Sequence, residues 1–517
     1  MKYTVSIHTK HDANMTISSG NRIVKYIEFE KVVGIRYFKF STDEKFEFEF
    51  NNIIFPFLKD IKNDIYKINI CWLTEAQKSV FSREFNLSII EEKKHHISHA
   101  FSLYAFTKPD QNDLIISFDG GGDEEDCFKL FHWDDSGLRL LKEIKLNLGT
   151  PYRVMGLLSK EIKSNPVFEY ETNLHLPGKI MGLAPLGKID ANYCEAIKQF
   201  YLLFRKEKKS IYEKLKSLLD LLNIKYDRNL KIEDALARNI LCTSQHVFEE
   251  LFFEKSPEIF NEKYNRILLV GGCSLNIKIN TEVYLRTNKD VFVSPVSGDC
   301  GISLGAAVSS MSFNEFEPFQ NAFIGLKCAD DITSYIVKYS PKKTQISELA
   351  RILADGKVVA TLNGNIEAGA RSLGNRSLLA NPMLNGIKDK LNRIKEREFF
   401  RPVAPIVTDR KQNTYFEIVP VSKYMSFSPK VKIEFKSLLS EIVHFDGTSR
   451  IQTATSTEDF IYNLLIEFGK ITGMEVLANT SFNVKGKPIV NSLPDAFELL
   501  ETTEIDYLYM DGLLFEK

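Results

Sequence analysis

The sequence HHISHA at positions 95–100 places three histidines within five residues, although the whole chain has only 9 histidines. His95 and His99 are four residues apart, so a helix would put both imidazoles on one face, close enough to share a metal ion. A single histidine is usually a packed core residue, but a cluster of this density favours metal binding. It lacks the glutamate of the HExxH zinc-protease motif. The pattern therefore predicts a metal site that needs further ligands.

Two acidic, glycine-rich loops can supply those ligands. Each follows an apolar segment typical of a buried strand: DGGGD (119–123) follows DLIISF, and SGDCG (297–301) follows VFVSPV. Asp119 and Asp299 are therefore the candidate carboxylate ligands. Mixed nitrogen and oxygen ligands suit Fe(II), Mn(II) or Zn(II), and the spacing does not choose among these ions.

A third glycine loop, VGGCSLN (270–276), also follows an apolar run. Glycine lets backbone N–H groups approach phosphate oxygens closely, although a single glycine turn is a weak signal. Three such loops after apolar strands indicate a nucleotide bound in a cleft between two α/β lobes. The candidate glycines are Gly120, Gly121, Gly271, Gly272 and Gly298.

His11 and Asp12 lie in TKHDAN, a turn between two predicted strands. Near an ATP cleft, a histidine in this turn can act as general base for an acceptor hydroxyl, because its pKa lies close to working pH. The same pattern also fits an ordinary surface turn, and position alone favours neither interpretation.

Basic residues are dense between positions 363 and 407, where they alternate with Gly, Ser and Asn. This combination suits a phosphate or carboxyl-like group. Arg376 and Arg401 have apolar neighbours, where a charge should be paired or bind a ligand. The candidates are Arg371, Arg376, Lys395, Arg397 and Arg401, and polar groups at predicted strand ends are added by Arg450, Asn479, Thr480, Ser481 and Asn483.

Composition limits the class of protein. The chain of 517 residues has 67 Lys and Arg against 68 Asp and Glu, so its net charge of -1 makes nucleic acid an unfavoured partner. No run reaches the ~18 apolar residues of a membrane span, and the first segment is typical of a strand and not of a secretion signal. The 7 cysteines are scattered without a CxxC pair, which excludes a zinc ribbon and disfavours disulfides. We expect a cytoplasmic protein, with a homodimer as one compatible assembly.

Alternation and helical spacing predict the elements that position these residues. Strands are predicted at 3–8, 15–19, 23–30, 46–50, 113–118 and 266–270, and helices at 204–224 and 346–354. The period is lost between 313 and 345, so we predict two domains, residues 1–335 and 345–517.

The motifs also occur in a characteristic order: HDAN, HHISHA, DGGGD, GKIMGLAPLG, GGCSLN, GDCGISLGAA, EAGARSLGNRSLLANP, KEREFFRPVAPIV and NTSFNVKGKPIV. In this order they resemble the NodU/CmcH O-carbamoyltransferases, from about His11 to about Ala496. The resemblance implies an α/β fold in which residues 1–335 are Kae1-like, an actin-like ATPase with two RNase H-like lobes. Residues 345–517 are implied to be YrdC-like.

The family resemblance also implies a reaction. The YrdC-like part breaks carbamoyl phosphate down to carbamate and phosphate, and carbamate attacks ATP to give carbamoyl-adenylate and pyrophosphate. The Kae1-like part, which binds a metal that is typically iron, transfers the carbamoyl group to a hydroxyl of a small molecule such as a specialised metabolite or a glycan. ATP and Fe(II), or alternatively Mn or Zn, are the implied cofactors.

Residues of this chain match the family positions one by one. The implied metal ligands are His95, His99, Asp119 and Asp299. The implied transfer residues are His11 and Asp12, and the implied nucleotide residues are Lys179, Gly271, Gly272 and Asn276. The implied YrdC-like site has Arg371, Arg376, Lys395, Arg397, Arg401 and Asn479, beside which Ser481 remains a candidate from its place at a predicted strand end.

Three positions depart from the family pattern: Asn365 replaces an arginine, Ala370 a proline and Lys487 a glutamate. They favour one alternative, a catalytically weakened ATP-binding regulatory protein. A second alternative is an enzyme like the tRNA threonylcarbamoyl transferases, which the neutral charge and the HHISHA and HDAN motifs disfavour. A sugar kinase would leave HHISHA and the C-terminal half unexplained.

Overall fold

The computed structural model describes residues 2–85, 90–122, 127–164, 168, 173–313 and 315–517. Asp123, at the end of the DGGGD motif, lies outside the described residues. The described chain forms three sheets surrounded by helices. The prediction of a mixed α/β protein is therefore confirmed.

The first sheet has the strand order β3-β2-β1-β4-β5. Its strands are β1 (Tyr3–His8), β2 (Asn14–Ser19), β3 (Arg22–Glu28), β4 (Ile65–Cys71) and β5 (Ile90–Glu92). β1 pairs antiparallel with β2 and parallel with β4. The turn between β1 and β2 therefore carries His11 and Asp12 beyond the carboxyl end of β1.

The second sheet has the order β10-β9-β6-β7-β8. Its strands are β6 (Asp113–Phe118), β7 (Phe128–Asp134), β8 (Gly137–Ile144), β9 (Arg266–Val270) and β10 (Asp290–Val293). β6, β9 and β10 are parallel and adjacent. Since parallel strands end at the same edge, the three predicted glycine loops lie side by side.

Eleven described helices accompany these two sheets: α1 (Phe29–Val33), α2 (Lys45–Glu49), α3 (Glu75–Phe85), α4 (His95–Leu103), α5 (Gly149–Met155), α6 (Leu176–Leu183), α7 (Ala191–Leu203), α8 (Ile211–Leu221), α9 (Asp234–Lys255), α10 (Ile277–Thr287) and α11 (Ile302–Val308). The helix predicted at 204–224 begins only at Ile211, because Ser210 and Glu213 form a capping box there. α4 crosses α11 closely, and a Cβ on Gly305 would lie 1.7 Å from the Ser98 carbonyl oxygen.

The strand predicted at 46–50 is wrong. FEFEF begins in α2, and a single π-helical turn, Phe50–Ile54, follows it. Phe46 and Phe50 are fully buried, whereas Phe48 is exposed. The aromatic residues four apart meet on one helical face and pack with Phe81 and Phe85 of α3, so tertiary burial decides against the alternating pattern.

The third sheet has the order β11-β18-β17-β12-β13-β16-β14-β15. Its strands are β11 (Lys342–Lys343), β12 (Val359–Thr361), β13 (Ser377–Ala380), β14 (Ala404–Thr408), β15 (Gln452–Ala454), β16 (Val476–Ser481), β17 (Tyr507–Met510) and β18 (Leu513–Glu516). The helices in this region are α12 (Thr333–Tyr339), α13 (Ile346–Ala354), α14 (Ile387–Ile394), α15 (Asp409–Tyr415), α16 (Asp459–Thr472) and α17 (Leu493–Thr502).

Helix α12 lies in the stretch where the sequence shows no period. Its Tyr335 ring stacks on Phe497 of α17 with centroids 4.2 Å apart. This part of the stretch 313–345 therefore packs with the helices of the third sheet. The division into residues 1–335 and 345–517 stays a prediction.

The two halves are joined by apolar and polar contacts. One buried apolar cluster continues from β6 through helices α5–α9 to the third sheet. Lys179 Nζ lies 3.0 Å from a Glu398 carboxylate oxygen, and the His444 imidazole contacts the Gly182 carbonyl at 2.9 Å. Among the described helices, none is long and apolar enough to cross a membrane.

Candidate functional site

Helix α4 places His95 and His99 on one buried face, opposite two carboxylates. His99 Nε2 lies 3.1 Å from Asp119 Oδ2 and 3.4 Å from Asp299 Oδ1. His95 Nε2 lies 3.1 Å from His99 Nε2 and 3.9 Å from each of the two aspartates. One ligand atom from each of these residues falls within 4.8 Å of all the others. The four predicted metal residues are thus brought together.

This donor set fits a divalent metal ion. Donor atoms that surround one ion at about 2.0–2.2 Å lie roughly 3–3.5 Å from one another, which is close to the observed separations. Two imidazole nitrogens and two carboxylate oxygens suit Fe(II), Mn(II) or Zn(II).

The cluster shifts the ionisation of its own members. Burial lowers the pKa of His99, but the hydrogen bonds and charges of Asp119 and Asp299 outweigh it and raise this pKa to about 9. Burial likewise raises the pKa of Asp119, but hydrogen bonds from His95 and His99 hold it well below its usual range. Both aspartates therefore stay ionised and can act as ligands.

The turn after β1 places His11 at the edge of this cluster. His11 Nδ1 lies 3.0 Å from Asp12 Oδ2, and His11 Nε2 lies 3.5 Å from Asp299 Oδ2. Asn14 fixes the turn, because its Nδ2 donates to the carbonyl oxygens of Asp12 at 2.7 Å and Asp299 at 2.8 Å. His8, fully buried, lies behind Asp299 at 3.7 Å. The role of Asn14 escaped the sequence reasoning because its partner Asp299 is remote in the chain.

A cavity of about 760 Å³ opens beside the metal cluster and is lined by both halves of the chain. Its walls include His11, Asp12, Asp119 and Asp299 from the first half. Of the predicted nucleotide residues, Gly120, Lys179, Gly272, Asn276 and Gly298 also line it. Gly121 and Gly271 are not among the wall residues.

Gly271 has a structural role in its loop. Its φ is 91°, and a Cβ there would lie 2.2 Å from the Phe118 carbonyl oxygen, so only glycine allows β6 and β9 to approach so closely. The turn then aims the Gly272 N–H at Asp119 Oδ2, 2.9 Å away. Gly271 therefore shapes the loop without facing the cavity.

The second half contributes a cluster of positive charges to the cavity wall. Its members are Arg371, Lys395, Arg397, Arg401 and Arg450. Burial, followed by the charge of Arg401, lowers the pKa of Arg371 to about 10 and that of Arg397 to about 9. Within the described chain, Arg397 Nη2 and Arg450 Nε are buried without a hydrogen-bond partner. The cluster therefore has unused donors and mutual repulsion, both of which an anion would relieve.

Lys395 is held at the end of α14 by oxygen atoms. Its Nζ donates to Ser481 Oγ at 3.0 Å and to the Asn483 carbonyl at 2.8 Å, and it also contacts the Ser481 carbonyl. Burial, then the charges of Arg397 and Arg401, hold its pKa well below the usual range. Ser481, a predicted site residue, thus orients Lys395.

Two further predicted residues direct their N–H donors at oxygen atoms of the protein, while Asn479 Oδ1 is buried without a hydrogen-bond partner in the described chain. The guanidinium of Arg376 is fully buried and donates to the carbonyls of Asn363 at 2.7 Å and Gly364 at 3.0 Å. Arg376 is absent from the cavity wall and holds the loop around it. Asn479 lines the cavity, but its amide donates to Ser372 and Gln452 at 3.1 Å and 2.8 Å.

The cavity wall also includes Arg450, which the sequence predicted only as a polar group at a strand end, and residues that the sequence analysis did not name. Arg450 lies beside Arg371, Arg401 and Arg397. Arg36 and Tyr37 reach the cavity from the first half, and Tyr37 adopts a left-handed backbone with φ of 56°. A strained residue at a cavity is the kind of signal that a sequence does not carry.

Comparison with known proteins identifies the family. A model described as Carbamoyltransferase N-terminus matches residues 23–308, and one described as Carbamoyltransferase C-terminus matches residues 350–517. The chain belongs to the carbamoyltransferase family. The NodU-type resemblance is confirmed, and with it the prediction that this protein is a carbamoyltransferase enzyme.

Relatives of this carbamoyltransferase include nodulation proteins. Nodulation protein U of Rhizobium tropici is 30% identical over 443 residues, which cover 82% of this chain and 74% of that protein. Nodulation protein NolNO of Sinorhizobium fredii is 31% identical over 468 residues, which cover 84% of this chain and 65% of that protein.

Solved structures are more distant from this carbamoyltransferase. The activator of the 2-hydroxyisocaproyl-CoA dehydratase from Clostridium difficile, with bound ADPNP, has 15% identity and a TM-score of 0.35, over 60% of this chain and 95% of its own. HypF in its phosphate- and nucleotide-bound form has 13% identity and a TM-score of 0.35, over 59% and 55%.

Proposed function

We propose that this carbamoyltransferase is ATP-dependent and acts on a hydroxyl of a small-molecule acceptor. The main support for this proposal is that His11, the aspartates of the metal cluster and the cationic cluster all line the same cavity. Anionic substrates and the transfer residues would then share one cavity, so an unstable intermediate would have only a short distance to travel between them.

The cationic cluster accounts for the donor substrate. Carbamoyl phosphate and the ATP phosphates are anions. Arg397 and Arg450 offer them charge and unused N–H donors, and Arg401 adds a further charge on the cavity wall. Within the described residues near this cluster, Glu398 is already paired with Lys179 at 3.0 Å. The excess of positive charge therefore remains for the substrate.

The proposed chemistry has three balanced steps. Water splits carbamoyl phosphate into carbamate and phosphate. A carbamate oxygen then attacks the α-phosphorus of ATP, which forms carbamoyl-adenylate and releases pyrophosphate. Finally, the acceptor oxygen attacks the carbamoyl carbon, AMP leaves, and the hydroxyl proton must be removed. Arginines that hold the phosphate oxygens would stabilise the charge that develops on the phosphate, pyrophosphate and AMP leaving groups.

Burial lowers the pKa of His11, but the charges of Asp299 and Asp12 outweigh it and raise this pKa to about 9. The charge of a bound divalent ion would oppose protonation, and His11 is then the proposed proton acceptor in the last step. Asp12 orients its ring through Nδ1 at 3.0 Å, which leaves Nε2 on the cavity side of Asp299. His95, His99, Asp119 and Asp299 would hold the divalent ion, for which Fe(II) is our first choice. When bound, that ion supplies positive charge that polarises a carbonyl or phosphoryl oxygen.

The proposal also includes the domain assignment. We assign residues 1–335 to a Kae1-like, actin-like ATPase domain and residues 345–517 to a YrdC-like domain. Supporting the first assignment, parallel β6, β9 and β10 end in glycine loops that face the cavity. Supporting the second, the cationic cluster surrounds the edge of the third sheet where β16 ends at Ser481.

The test omits the acceptor. Purified protein with ATP, carbamoyl phosphate and Fe(II) or Mn(II) is expected to yield pyrophosphate and carbamoyl-AMP, both measured by mass spectrometry. Arg397→Gln should abolish both products, whereas Arg410→Gln, which alters an arginine paired with Glu475 away from the cavity, should not. Pyrophosphate formation that does not require carbamoyl phosphate would contradict the proposed order of steps.

A further inference from the structure

Two buried charged residues of the first half contact the second half without lining the cavity. Glu28 ends β3 and Lys31 lies in α1, and their side chains are 2.9 Å apart. Lys31 Nζ also donates to the carbonyl oxygens of Glu367 at 2.7 Å and Gly369 at 3.0 Å. Glu28 Oε1 accepts the Gly369 N–H at 2.8 Å. Three hydrogen bonds thus join this pair to one short loop.

That loop carries Arg371 into the cavity. Glu367 fixes the loop from inside, because its Oε1 accepts the N–H groups of Leu373 and Asn375 at 2.8 Å each. At Gly369, φ is 88° and a Cβ would lie 2.0 Å from the Pro295 carbonyl oxygen, so the loop is wedged against the first half. Arg371 therefore projects from a segment held at two points.

The same corner of the fold is tied to the metal cluster. The Tyr26 hydroxyl, on β3, donates to the Cys300 carbonyl at 2.7 Å, and Cys300 directly follows Asp299. β3 and α1 thus contact both the loop of a metal ligand and the loop of a cavity arginine. The separation between the two loops is set by one rigid element.

Stability alone does not explain a buried ion pair at this place. Desolvation opposes such pairs, and apolar residues of similar volume often serve stability as well or better. An ammonium group with fixed acceptors specifies position, which an apolar contact does not. The directional bonds to Gly369 and Glu367 are what an apolar pair would lose.

We infer that Glu28 and Lys31 are positioning residues that hold Arg371 at the distance from the metal cluster at which it contacts the anionic substrate. The inference rests on the proposed function, because it requires a phosphate-containing ligand at Arg371.

The test is a double-mutant cycle on pyrophosphate binding, measured by calorimetry on the full chain. Lys31→Met and Arg371→Gln should each weaken pyrophosphate binding at least tenfold. The double variant should bind within about twofold of Arg371→Gln alone, because Lys31 acts only through Arg371. Arg410→Met, with its partner Glu475 remote from the cavity, should bind as the wild type does.

The outcomes separate this inference from the proposed function. Wild-type protein that does not bind pyrophosphate would overturn both. Wild-type binding with an unchanged Lys31→Met variant, or with additive losses in the double variant, would overturn the positioning role alone. If Lys31→Met does not fold, Glu28→Gln replaces it: this variant keeps an oxygen for the Gly369 N–H, removes the charge, and must show the same non-additivity.

Discussion

Arg450 lies close to other arginines, although the repulsion between their positive charges lowers the stability of the folded protein. The group is partly buried, mutually repulsive and incompletely hydrogen-bonded within the described chain. Sites that trade stability for ligand binding commonly show this pattern. We therefore expect Arg450→Met to raise the free energy of unfolding by ~1 kcal/mol, which shifts the midpoint of thermal unfolding upward by about 1 °C for a chain of this length.

The same Arg450→Met variant should lose most of the stabilisation that pyrophosphate gives to the wild type, as measured by differential scanning calorimetry. Arg410→Met is the control, since its ion pair with Glu475 lies outside the cavity. A lower midpoint for Arg450→Met without ligand would contradict the assignment of the cluster to an anion.

The metal cluster offers a matched pair of histidines on one helix. His99 contacts Asp119 and Asp299, whereas His96 bonds Ser117 Oγ at 2.7 Å and lies outside the donor set. His99→Ala should reduce bound Fe(II) or Mn(II) from about one ion per chain to near zero, measured by elemental analysis after dialysis. His96→Gln should keep the ion, and equal loss in both variants would indicate general disruption of α4.

At the scale of elements, the crossing of α4 and α11 sets the distance between the histidines and Asp299. The Ser98 carbonyl oxygen fills the place of a Cβ at Gly305, with a separation of 1.7 Å. Gly305→Ala should therefore separate the helices, lower the free energy of unfolding by about 3 kcal/mol and weaken metal binding at least tenfold.

Gly178→Ala is the control for that element. Gly178 lies in α6, and a Cβ there meets nothing within 4 Å, so the change should stabilise the protein by up to ~1 kcal/mol. Denaturant titration and metal binding measure both variants. Gly305→Ala with wild-type metal affinity would show that α4 and α11 adjust without moving the ligands.

At the scale of the whole molecule, stability should depend on pH through Glu249. Burial raises the pKa of Glu249 from its usual value of 4.5 to about 7. The protonated carboxyl is thus favoured in the folded state. Its stabilising contribution is complete below pH 4.5 and is lost as pH rises through about 7.

Glu249→Gln should accordingly gain stability over the wild type as pH rises from 5 to 8. The difference should reach on the order of 1–2 kcal/mol at pH 8, because the carboxylate keeps some contact with solvent. Urea unfolding at each pH measures it. Glu250→Gln, at the neighbouring exposed position, should show no such trend, and a gain for Glu249→Gln that is equal at both pH values would contradict the shift.

The sequence determined those features that rest on local periodicity and on strand direction. Spacing of four residues was enough to place His95 and His99 on one face of a helix. Apolar runs before Asp119 and Asp299 were enough to place both at strand ends, and parallel strands bring their carboxyl ends to one edge. The alternation in FEFEF predicted a strand, which is wrong, because Phe46 and Phe50 are buried against α3 on one face of a helix.

Only the tertiary structure decided which polar groups face the cavity and which are paired with other groups of the protein. Arg376 in GNRSLLA and Arg450 in GTSRIQT both follow small polar residues and have an apolar residue within the next two positions. Yet the donors of Arg376 are used by backbone carbonyls, and Arg450 faces the cavity. The contacts of Lys31 with Glu367 and Gly369 join positions more than 300 residues apart. Hydrogen-bond satisfaction depends on all neighbours in space at once, and a linear sequence does not specify which segments those will be.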